Sequence, residues 1–211
     1  MFARIRKAVE PYPKAMLFEI YERGYRSPFE QLLACLLSIR TLDEVSLGVA
    51  LKLLARATNP EDLLKIPADE LLAIVSPCTF PGQKAASLRK ISEKIMKDFK
   101  GKTPRDFEGL TSLPGIGPKC ANLVLGIACG KASIGVDIHV HRVTNRWGYI
   151  SAPTPEKSLK ELERRLPKEK WVEINELLVP FGKHICTGRM PKCSVCPVLE
   201  DCEQVGVTQH H

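Results

Sequence analysis

Apolar residues repeat at close to 3.6-residue spacing along nearly the whole chain, and this predicts an all-α fold. Two further observations agree. Helix-start chemistry recurs, as in Ser27-Pro28-Phe29-Glu30, Asn59-Pro60-Glu61 and Thr154-Pro155-Glu156. The stretches joining the periodic segments are short, as in packed helical lobes. Only residues 133–140 could pass for a strand, and the surrounding pattern argues against it.

The first 26 residues are mixed, with a short helix expected over Leu17 to Tyr21. Ser27, Pro28 and Glu30 fit N-cap, N1 and N3 of a capping box. Leu32, Leu33, Leu36 and Leu37 then predict a thoroughly buried helix ending near residues 39–41. A second helix begins near Asp43, with Leu47, Ala50, Leu51 and Leu54 on its apolar face. Short helices follow from Asn59 and from Pro67. Cys78 to Gly82 reads as a connection, and Lys84 to Phe99 as a helix with Leu88, Ile91, Ile95 and Phe99 inward. Thr103-Pro104 with Asp106 marks another helix start. Beyond a glycine turn, Asn122 to Ala128 is buried helix, broken near Gly130. Helices from Thr154 and over Trp171 to Leu178 precede a terminal cysteine cluster.

The 211 residues are 44% hydrophobic, enough for one sizeable core or two small lobes. Lys and Arg number 31 against 24 Asp and Glu, a net charge of +7 that favours a polyanionic partner without requiring one. No apolar run reaches the roughly 18 residues of a membrane span. The basic N-terminus is followed by Glu10 and Pro11 rather than by the apolar core of a signal peptide. A cytoplasmic location and no membrane partner are expected.

Residues 113–119 (Leu113-Pro114-Gly115-Ile116-Gly117-Pro118-Lys119) concentrate the chemistry. Gly115 and Gly117 fit a tight turn between helices, with Pro118 at the first position of the second helix. Exposed amides and the positive helix end can hold a DNA phosphate without reading a base. An ordinary tight turn would use the same residues. Lys119 is a phosphate contact, a surface charge or a nucleophile; a helix N-terminus and desolvation oppose its charged form, whereas Asp137 would favour it. Asp137 lies among Ile134, Val136, Ile138 and Val140, so its carboxylate must be a helix cap, an ion-pair partner or functional. His139, Arg142 and Arg146 follow.

Four of the eight cysteines, Cys186, Cys193, Cys196 and Cys202, lie within 17 residues. This clustering suggests a metal or iron–sulfur site more than a disulfide framework. Spacing alone leaves zinc and iron–sulfur ligation open.

Residues 113–122, Val136-Asp137-Ile138-His139 and the cysteine spacing together resemble the endonuclease III family. These are bifunctional DNA glycosylases/AP lyases of the helix-hairpin-helix, Gly/Pro-Asp superfamily. The resemblance runs from about residue 25 to the C-terminus. It implies two helical domains flanking a DNA-binding cleft: residues 25–132 as a six-helix domain with the helix-hairpin-helix motif, and residues 1–24 plus 133–211 as an iron–sulfur domain. It makes Lys119 the Schiff-base nucleophile and Asp137 the catalytic aspartate. Cys186, Cys193, Cys196 and Cys202 become the metal ligands of a [4Fe–4S] cluster. The residues themselves add Gly115, Gly117, His139, Arg142, Arg189 and Lys192 as expected DNA contacts, with a satisfied structural histidine as the other reading of His139. Arg40 matches the residue that fills the gap left by a flipped nucleotide and touches the opposite strand; a structural salt bridge is its competing role. The implied partner is damaged double-stranded DNA, bound by a monomer at the nucleoid, with oxidised pyrimidines as targets.

The chain also departs from the family pattern. Arg40 stands where glutamine is common, and it carries only donors, so guanine O6 and N7 suit it as an opposite partner. Pro118 replaces a basic residue, Cys120 a threonine, and Phe80 to Lys84 differs from a Tyr-containing loop. Cys35 occupies the position of the catalytic Glu in adenine glycosylases, which disfavours adenine excision. Competing functions are a monofunctional glycosylase for mismatched or alkylated bases and a non-enzymatic DNA-binding protein.

Overall fold

A computed structural model describes residues 1–211. The chain is all-α, with twelve helices: α1 (Phe2–Val9), α2 (Met16–Glu22), α3 (Pro28–Ser38), α4 (Asp43–Leu54), α5 (Pro60–Lys65), α6 (Ala68–Val75), α7 (Pro81–Asp98), α8 (Phe107–Thr111), α9 (Pro118–Cys129), α10 (Ile138–Arg146), α11 (Pro155–Arg165) and α12 (Glu173–His184). Short 3₁₀ turns cover Lys168–Lys170, Cys193–Val195 and Leu199–Asp201. Residues 133–136 are irregular, not strand. None of the helices is long and apolar enough to cross a membrane.

The chain forms two compact units, Met16–Lys131 and Met1–Ala15 with Ala132–His211. In the first, α3 is buried from Phe29 to Leu37 and packs on α2, α4, α7 and α9. The capping box starts it: the Glu30 N–H donates to Ser27 Oγ (3.2 Å), and the Ser27 N–H donates to Glu30 Oε2 (2.7 Å). Leu88, Ile91 and Ile95 of α7 and Val124 of α9 are also fully buried. The second unit is built on Ile5, Val140, Val143, Trp147, Ile174, Leu178 and Phe181.

Several boundaries differ from the sequence-based expectation. The N-terminal segment is a helix, because Ile5 and Val9 give it a buried stripe. Helix α7 begins at Pro81, three residues early, since left-handed Phe80 makes the turn and proline fits N1. Helix α8 is capped by Asp106, whose Oδ1 accepts from the Gly109 N–H at 2.7 Å, rather than by Thr103. Helix α12 runs through Pro180 to His184.

The C-terminal iron–sulfur loop is a correction. No group of three or more His, Cys, Asp or Glu side chains is arranged to hold a metal ion. The segment from Cys186 is instead a hydrogen-bonded loop of 3₁₀ turns.

Leu88→Ala is expected to cost about 3 kcal/mol by opening a cavity, and Ser27→Ala about 1 kcal/mol by losing the cap. Urea denaturation measures both. A near-neutral Leu88→Ala would mean that α7 is not held by its buried stripe.

Candidate active site and nucleic-acid interface

The hairpin runs from α8 into α9. Leu113 and Ile116 are buried anchors, and the Ile116 N–H closes the turn on the Leu113 carbonyl at 3.2 Å. Gly115 has φ +81°, a left-handed conformation that glycine adopts without steric cost. Gly117 is different. Its φ is −90°, and a Cβ there would meet nothing within 4 Å. What its missing side chain provides is an open approach to the first turn of α9. Pro118 occupies N1, and Lys119 stands exposed beside it. An anion at this turn would meet backbone N–H groups and the positive helix end.

Asp137 caps α10. Its Oδ1 accepts from the N–H groups of His139 (2.9 Å) and Val140 (2.8 Å), which fixes the orientation of a half-buried carboxylate. Upstream, buried Asn175 holds the Gly135 backbone both ways: Nδ2 donates to its carbonyl (2.5 Å) and Oδ1 accepts from its N–H (3.2 Å). The cap is thus anchored two residues before it begins.

The side chains expected to touch DNA divide into two groups. Arg40, Arg189 and Lys192 are exposed. His139 and Arg142 are half-buried and close together, with Arg142 Nη2 3.2 Å from His139 Nδ1. Arg142 also donates to the carbonyls of Gly182 (2.8 Å) and Cys186 (3.0 Å), at and beyond the C-terminal end of α12. Its neighbour Arg146 donates to the Thr187 and Gly188 carbonyls, both at 2.5 Å. Close approach of α10 and α12 requires Gly182, where a Cβ would lie 2.7 Å from His139 Nδ1. Burial lowers the Arg142 pKa.

Arg40 follows α3 in a left-handed conformation, φ 55°, a strain of about 1–2 kcal/mol for a non-glycine residue. It lines a cavity of about 300 Å³ with Ile39, Phe80, Lys84 and Gly115. Phe80 is also left-handed and 55% exposed. A polar network not foreseen from the sequence joins these loops through Thr41, Thr79 and Lys84. A signal for Lys84 was present: it shares the helical stripe of Leu88, Ile91 and Ile95.

The four clustered cysteines border one cavity of only about 20 Å³, about the room one water needs. Two of the sulfurs engage the protein itself. Cys202 Sγ donates to the Arg146 carbonyl (3.5 Å) and accepts from the Gln204 N–H (3.4 Å), while Cys186 Sγ accepts from Arg146 Nη1 (3.6 Å). Burial raises the Cys196 and Cys202 thiol pKa values, and the neighbouring cysteines add to the rise. The [4Fe–4S] assignment to Cys186, Cys193, Cys196 and Cys202 is therefore corrected, on the missing ligand group together with these contacts.

Residues 33–168 match the family described as HhH-GPD superfamily base excision DNA repair protein. The chain is thus a member of a DNA-repair class, as its helix-hairpin-helix turn suggests. Endonuclease III of Thermotoga maritima is 35% identical over 83% of this chain and 83% of that protein. Endonuclease III of Bacillus subtilis is 35% identical over 87% of this chain and 84% of its own. A trapped endonuclease III–DNA covalent intermediate, in an estranged-adenine complex, has a similar fold: TM-score 0.79, 29% identity, covering 97% of this chain and 96% of that one. The chain belongs to the endonuclease III family of DNA glycosylases/AP lyases. It is an enzyme of that class and a DNA-binding protein.

Gly115→Ala is expected to cost about 1–2 kcal/mol, the penalty of a left-handed alanine. Gly117→Ala should cost about 0.5 kcal/mol or less, as expected away from special backbone geometry, yet weaken binding to duplex DNA by crowding the amides. Urea melts and fluorescence anisotropy separate the two effects. Equal stability costs would show that backbone conformation does not select glycine at position 115.

Proposed function

We propose that the enzyme excises oxidised pyrimidines from duplex DNA through a Schiff base on Lys119, assisted by Asp137, and cleaves the strand on the 3′ side by β-elimination. The reading is carried by Lys119, exposed at the N-terminal end of α9 immediately after the glycine turn. Gly115 and Gly117 hold the backbone phosphate, and the damaged nucleotide is extruded from the stack to expose C1′. The neutral Nζ attacks C1′ as the N-glycosidic bond breaks; its electron pair leaves with the base, which takes up a proton. The carboxylate of Asp137 stabilises positive charge on the sugar and assists proton transfer. The ring C1′–O4′ bond then opens to an iminium. Loss of a C2′ proton sends electrons to form C2′=C3′, and the 3′ phosphate departs with the C3′–O pair. Water hydrolyses the imine and frees Lys119.

A nucleophile other than an amine would form no iminium, and the elimination would lack its electron sink. The trapped covalent intermediate of the similar endonuclease III supports this route. The substrate makes the nucleoid in the cytoplasm the proposed site of action, and a monomer suffices for the chemistry. Arg40, His139, Arg142, Arg189 and Lys192 are the proposed DNA contacts, with Arg142 acting mainly through the carbonyls and imidazole it orders.

Borohydride should trap wild-type protein on abasic duplex DNA and fail to trap Lys119→Ala. An adduct that persists undiminished in Lys119→Ala would move the nucleophile elsewhere, and an active wild type that cannot be trapped would point to a monofunctional glycosylase. Asp137→Asn separates cap from charge, because asparagine also caps helices. It is expected to leave the melting temperature nearly unchanged while slowing single-turnover base release by about 100-fold or more. Unchanged release would reduce Asp137 to a cap.

A further inference from the structure

Lys84 is only 6% exposed, whereas lysine ordinarily keeps its ammonium in water. Its Nζ donates to the Leu37 carbonyl (2.7 Å) and to Thr41 Oγ1 (2.6 Å). Leu37 lies in the last turn of α3, where carbonyls lack helical partners and the dipole favours a cation. The contacts continue in one direction. Thr41 Oγ1 also accepts from the Thr79 N–H (3.2 Å) and lies 2.9 Å from Thr79 Oγ1, which donates to the Arg40 carbonyl (2.8 Å). With Thr41 Oγ1 accepting from Lys84 and from the Thr79 N–H, its own hydrogen has two acceptors, Thr79 Oγ1 at 2.9 Å and the Ile39 carbonyl at 3.5 Å; the shorter contact favours Thr79, whose hydrogen goes to the Arg40 carbonyl. The ammonium of Lys84 thereby sets the direction of a chain that ends on the strained residue.

We infer that Lys84 is a positioning residue for Arg40: through Thr41 and Thr79 it holds Arg40 in its left-handed conformation, so that the guanidinium is presented to the base opposite the damage. The inference rests on the reading of Arg40 as a contact to the opposite strand. Without the ammonium, the Leu37 carbonyl loses its donor and the Thr41 hydroxyl is free to turn. Arg40 then relaxes toward an ordinary backbone conformation. Discrimination among opposite bases falls, while the lysine chemistry on a strand that has no opposite base does not.

The test uses Lys84→Met, which keeps the stem and removes the charge, together with Thr79→Val, Arg40→Ala and the double variant Arg40→Ala/Lys84→Met. Excision is measured on oxidised-pyrimidine duplexes with each of the four opposite bases, and borohydride trapping on a single-stranded abasic oligonucleotide. Lys84→Met should lower the ratio of best to worst opposite base by about tenfold, toward that of Arg40→Ala, the scale of a lost arginine–guanine contact. Thr79→Val should move the ratio the same way, the double variant no further than Arg40→Ala, and single-strand trapping by Lys84→Met and by Thr79→Val should stay at the wild-type level. If Arg40→Ala lowers the ratio but Lys84→Met and Thr79→Val do not, the inference is overturned and the reading of Arg40 stands. If Arg40→Ala itself leaves the ratio unchanged, that reading falls and takes the inference with it. Parallel loss of single-strand trapping would reveal general damage to the fold and overturn the positioning role. Should Lys84→Met fail to fold, Thr79→Val decides.

Discussion

Burial of α3 on every side is the constraint on which the larger unit depends. A helix packed on α2, α4, α7 and α9 cannot slide or rotate without disturbing four neighbours, and close-packed interiors transmit such shifts. The candidate chemistry sits at the edges of this packing. The C-terminal end of α3 leads to Arg40, and α9, which lies against α3, begins at Pro118 and Lys119. Neither functional side chain is itself buried, yet each is tethered within a turn of helix to groups that are. Rigidity of this kind suits a site whose main task is orientation.

In the other unit, one carboxylate does two things. Capping α10 satisfies two amides and resolves the cost of an acid among Ile134, Val136 and Val140. The same bonds hold Oδ1 in place, so capping is compatible with the catalytic role proposed for Asp137. Arg142 and Arg146, one turn apart, then gather the carbonyls of residues 182 and 186–188 and order the chain that follows α12.

Much of this was legible in the sequence, and what was not has identifiable causes. The capping box at Ser27, the starts at Asp43 and Thr154, the glycine turn and the end at Gly130 follow from local chemistry, which acts over three or four residues and leaves a readable signature. Helix α1 was missed because its stripe is only two residues long and its partners lie far along the chain. The cysteine cluster misled because close spacing along the chain does not by itself make a ligand group, and none is formed there. Lys84 was hidden by residue type. Its position on the stripe of Leu88, Ile91 and Ile95 marked it as buried, but a lysine is read as a surface charge until its partners are known.

Those partners also change what the net charge means. An excess of +7 suggests a surface laid out for phosphate. Yet Lys84 bonds the Leu37 carbonyl, Arg89 that of Ile66 at the end of α5, Arg142 that of Gly182, and Arg165 that of Tyr149. Cations held by carbonyl dipoles raise the formal charge, and of these four only Arg165 also meets a carboxylate, that of Glu161 at 3.5 Å; several stand where helix ends attract positive charge. Their hydrogen bonds are spent first on the fold. Exposed residues such as Arg40, Lys119, Arg189 and Lys192 remain as the proposed electrostatic footprint on the duplex, a smaller set than composition suggests. The salt dependence of binding counts phosphates neutralised rather than charges carried, so it should follow that smaller set.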